Sequence, residues 1–135
     1  MLRKKSHSLA WGLCLWLLCF TAYAELDGAD MYVYVEVSVR EATIEGMRQR
    51  LALLQSPQYT LEADAAVDQL TRVRIADVYA QFGTTPGAHV AYGTRNAARI
   101  EQWLDENPTW KGRYATLDSQ FRSLSNQLSA SRREQ

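Results

Sequence analysis

The fold turns on the stretch 31-MYVYVEVSVR-40. Its odd positions are Met31, Val33, Val35, Val37 and Val39; its even positions are Tyr32, Tyr34, Glu36, Ser38 and Arg40. Strict alternation with β-branched residues is a strand signal. A strand needs a partner, and no other run between residues 25 and 135 alternates convincingly. Pairing within the chain is therefore nearly excluded, and the strand reading keeps one outlet, an edge offered to a second chain. The helical reading draws on the residues downstream. At about 100° per residue, Val33, Val37, Ile44, Met47, Leu51 and Leu54 fall in one broad sector. The run continues through Glu41-Ala42 into residues 48–54 (RQRLALL), a strong helix-forming composition. Burial of an apolar face overrides β propensity, so the sequence predicts a helix over 30–55.

Punctuation divides the rest. Ser56-Pro57, Thr85-Pro86 and Asn107-Pro108 each place a polar residue before a proline, the pattern of a helix start. Helices are expected at about 58–82, 86–106 and 108–131. The last has the clearest stripe, with Trp110, Tyr114, Leu117, Phe121, Leu124 and Leu128 at spacings of three and four. Val90, Gly93, Ala97, Ile100 and Leu104 share a face of the third, beside Trp103; Ala63, Val67, Leu70, Val78 and Phe82 share one of the second. Short breaks favour antiparallel neighbours. The expectation is an all-α fold, a small antiparallel bundle of about four helices in a single domain over 25–135.

Residues 1–24 read as a leader. Arg3, Lys4 and Lys5 precede an apolar run from Leu9 to Phe20, and Ala22-Tyr23-Ala24 offers small residues at the −3 and −1 positions. This is the pattern of a signal peptide cleaved after Ala24; the run is too short for a span, which needs about 20 residues. The expected location is the periplasm or the exterior, with no transmembrane segment after cleavage. Both cysteines, Cys14 and Cys19, fall in the leader, which leaves no disulfide and no thiolate in 25–135. Loss of three of the 15 basic residues leaves 12 against 15 acidic ones. Without a basic stripe, nucleic acid is not an expected partner.

Read as helix, the first segment carries Glu36 and Arg40, four apart, near the middle of its apolar sector. Arg74 interrupts the apolar stripe of the second segment in the same way. Charges on a buried face require partners, so these groups either pair structurally or line a polar pocket for an anionic small molecule, to which Arg presents a rigid fork of donors. His89, Tyr92 and Asn96 lie a turn apart at the start of the third segment, where free backbone N–H groups can hold an anion. His89 is either a general base or a hydrogen-bonded packing residue. One histidine and no cysteine in 25–135 make a metal site unexpected. A leader followed by a helical domain with Met31 near its start is superficially similar to the periplasmic b-type cytochrome bundle. That ligation needs a histidine on the last helix, and 108–131 has none, so no cofactor is expected. Trp103 and Trp110 are either core at a helix corner or an aromatic anchor for a partner. The resulting expectation is an exported binding or adaptor module, non-catalytic, for a protein partner or a second copy. The alternative is a ligand or enzymatic site in the bundle interior at Glu36, Arg40, Arg74, His89, Tyr92 and Asn96.

Overall fold

Residues 31–40 are helical, and their alternation has a helical explanation. The computed structural model describes residues 28–133; the leader read at 1–24 lies outside them. The described residues form α1 (Ala29–Leu54), α2 (Leu61–Gln81), α3 (Pro86–Arg95), α4 (Ala97–Glu106) and α5 (Pro108–Arg133). Residues two apart on a helix point about 200° apart, so a period-two apolar pattern feeds two opposite faces. Val33 and Val37 join Ile44, Ile100, Leu117 and Leu124 in one core cluster. Val35 joins Tyr79 in a second, against which Val39 and Ile75 pack. All of Val33, Val35 and Val37 are at most 2% exposed, because α1 lies between α2 on one side and α5 on the other. It is the central element and touches each of the other four helices.

α2 runs antiparallel to α1. Arg50 forks onto Asp64 near one end, and Val35 meets Tyr79 near the other. α5 runs in the same direction as α1, with Arg40 reaching Tyr114 and Arg48 reaching Gln120. The short helices α3 and α4 pack on the N-terminal half of α1, through Tyr32 against His89 and Tyr34 against Trp103. No helix among the described residues is long and apolar enough to cross a membrane.

Four local expectations need correction. The helix read over 86–106 is two helices of ten residues each. At the junction the Asn96 side chain and backbone N–H both donate to the Tyr92 carbonyl, while the Asn96 carbonyl accepts from Ile100 N–H. The turn is thus shared, and Asn96 leaves helical geometry between the two helices. Ser56-Pro57 does not open α2. Its N-cap is Thr60, whose hydroxyl accepts from Ala63 N–H, while the Ser56 hydroxyl accepts from Gln58 N–H within a turn. Thr85, in contrast, caps α3 as expected, with Pro86 at the first position. Finally, α2 is rotated from its apparent stripe. Asp64, Thr71, Ile75 and Tyr79 meet α1, whereas Leu70 is 46% exposed. The polar residues are accommodated by the Arg50–Asp64 fork and by Gly46, where the α2 side chain of Thr71 lies over bare α1 backbone. Val90, placed on the third segment's inner face by spacing, is also exposed.

Candidate functional site

Tyr32, Glu36 and Arg40 are spaced by four, so they form one ridge of α1. This ridge faces α3 and α5, and Glu36 is the hub. Its Oε1 accepts from Arg40 Nε at 2.8 Å, and its Oε2 lies 2.7 Å from His89 Nε2. Arg40 continues the network, donating from Nη2 to the Tyr114 hydroxyl at 2.9 Å and from Nη1 to Asp118 at 3.4 Å, with its guanidinium over the Tyr114 ring. Tyr32 stacks on His89 with centroids 4.3 Å apart, and Tyr79 meets the same imidazole edge-on. Five side chains from α1, α3 and α5 are thereby linked through hydrogen bonds.

The hydrogen bond from His89 holds the Glu36 carboxyl below the usual carboxylate range; burial opposes this, and Arg40 reinforces it. An ionised Glu36 requires His89 Nε2 to be the donor. Burial beside that carboxylate pushes the Tyr32 phenol up to about 12. Asp64 is likewise held low by its fork with Arg50.

These shifts give a pH dependence. For Glu36 and Asp64 the folded chain binds fewer protons than the unfolded chain near their ordinary values of 4.5 and 3.8. Their contribution is present above those values and lost as pH falls through the lower, folded ones. The urea midpoint is expected to drop steadily below about pH 5, with a shallower drop in Glu36→Gln. On the alkaline side, Tyr32 contributes below pH 10 and loses that contribution as pH rises towards about 12. A late phenolate step in ultraviolet absorbance would report it.

The residues singled out by sequence are only partly brought together. Glu36, Arg40 and His89 converge, and Tyr92 joins them through its ring, 5.8 Å from that of Tyr32. Asn96 serves the α3–α4 junction instead. Arg74 does not converge: it is half-buried on α2 and has no hydrogen bond or ion pair among the described residues. Tyr79, Tyr114 and Asp118 also reach this network, although spacing places Tyr114 only in the last helix's apolar stripe. Only the fold brings them near Glu36.

The chemistry available here is limited. A carboxylate–imidazole pair is half of a general-base arrangement, but His89 is 2% exposed and its Nδ1 finds no hydrogen-bond partner among the described residues. The buried hydroxyls of Thr84 and Tyr92 are unpartnered as well. Three such atoms make the α3 corner the least satisfied part of the described interior. Among the described residues no cluster of His, Cys, Asp and Glu could hold a metal ion.

The opposite ridge of α1 is built differently. Tyr34 and Ser38 line a groove of about 330 Å³ with Val37, Phe82 and Trp110, and the Glu41–Arg113 ion pair forms its charged rim. Tyr34 and Trp110 have ring centroids 4.7 Å apart, and the Arg113 guanidinium lies over Trp110. Compared with family models, with curated proteins and with solved structures, the chain matches none.

Proposed function

We propose that this chain is an exported, non-catalytic binding module that takes a protein partner at the aromatic groove of α1, α2 and α5. The observation that carries this reading is the division of labour along residues 32–40. The ridge with catalytic residue types is consumed in buried pairing, while the opposite ridge lines an open groove with Tyr34, Phe82 and Trp110. Tyr and Trp with an Arg at the rim are the residue types that dominate binding energy at protein interfaces. The reading with an anionic ligand in the interior is weaker, because Arg40 is already satisfied by Glu36, Tyr114 and Asp118.

Site-specific photocrosslinking in the host's periplasm tests the reading. A photoreactive residue at Ser38, in the groove, is expected to give a discrete adduct on a chain that begins at Glu25. Trp110→Ala is expected to abolish it, and a photoreactive residue at the exposed Arg99 should give no such adduct. A chain retained in the cytoplasm with its leader, or adducts independent of Trp110, would contradict the proposal.

A further inference from the structure

The face of α2 turned away from α1 carries a second pattern. Ala66, Leu70, Val73, Asp77 and Ala80 recur at spacings of four and three, the seam of a helix pair. All five are exposed, with Leu70 at 46% and Val73 at 44%. None of the described helices covers this seam, because α2 packs chiefly on α1. Asp77 interrupts it, and Arg74 flanks it one turn earlier. Neither has a hydrogen bond or an ion pair among the described residues, although Arg72 beside them is paired with Asp68.

We propose that this seam pairs with the same seam of a second copy, antiparallel, about a two-fold axis. The unmatched charges favour a second copy over an unrelated chain. An isologous contact presents one patch to itself, so an unmatched Arg and an unmatched Asp on that patch satisfy each other twice. They also fix the direction. Parallel pairing would set Asp77 against the partner's Asp77, whereas the antiparallel register that sets Leu70 against the partner's Ala80 and Val73 against the partner's Asp77 brings Arg74 within reach of that same Asp77. α2 has 21 residues, a length of about 31 Å. One helix pair of that length falls towards the small end of specific interfaces, so the dimer is weak and dependent on concentration. It does not rest on the groove reading, since Tyr34 and Trp110 lie outside the seam.

Sedimentation velocity of the purified chain over a wide concentration range tests this. The unaltered chain is expected to shift from monomer to dimer. Arg74→Asp and Asp77→Arg should each weaken the dimer at least tenfold. The double variant should restore it, because the exchanged charges meet again across the axis. Trp110→Ala should leave it unchanged, which separates the seam from the groove. Circular dichroism of each variant verifies folding. A chain that stays monomeric throughout, a dimer indifferent to the single changes, or a double variant without recovery would overturn the proposal.

Discussion

Glu36→Ala is expected to lower the stability of the folded chain by about 3 kcal/mol, as breaking a buried ion pair does. The substitution strands two groups at once. His89, at 3% side-chain exposure, keeps an Nε2–H with nothing to accept it, and Arg40 loses its closest carboxylate, keeping the Tyr114 hydroxyl and the more distant Asp118 at 3.4 Å. For a domain of this size the loss corresponds to a fall in Tm of roughly 12 °C or more. Glu36→Gln keeps the shape and one acceptor oxygen, so it should cost about 1–2 kcal/mol. Urea unfolding at neutral pH measures both. The sign matters more than the size. Residues held for catalysis are often costly to stability, and their removal is frequently neutral or stabilising. A Glu36→Ala chain as stable as the parent would favour an active site over a structural tie.

Gly46→Val is expected to cost about 3 kcal/mol, at the upper end of overpacking effects. A Cβ at this position would come within 2.9 Å of Thr71 Cβ and 2.6 Å of its Cγ2. The first of these atoms is next to the backbone, so a rotamer change cannot clear it and α1 and α2 must move apart. The movement would strain the Arg50–Asp64 fork, one turn from Gly46 on α1. Thr71→Ala removes two of the three close atoms and should recover part of the loss. A chain in which Gly46→Val gains stability, as helix propensity alone would favour, would show that the helices are not in close contact there.

Much of this fold is legible in local chemistry. Thr85-Pro86 and Asn107-Pro108 mark real helix starts, because caps and prolines act within one turn. Glu36 and Arg40 are a recognisable pair because they are four apart on one helix. The share of His89 is not legible, since 53 positions separate it from Glu36 and only the folding of α3 onto α1 joins them. The rotation of α2 is not legible in local chemistry either. Asp64 and Thr71 look outward by composition, yet they face α1, because Arg50 neutralises one and the missing side chain of Gly46 makes room for the other. Residues 31–40 present the opposite difficulty. Their alternation suits a strand, and a helix buried on two opposite sides produces the same pattern.

Glu36 and His89 join α1 to α3 across 2.7 Å, and the proposed non-catalytic role requires that pair to be a structural tie. A double-mutant cycle with Glu36→Gln and His89→Asn, read by urea unfolding at neutral pH, is its sharpest test. The expected coupling between the two positions is at least about 1 kcal/mol, with both single variants destabilised. Additive effects with a coupling near zero, or a gain in stability from either change, would contradict it.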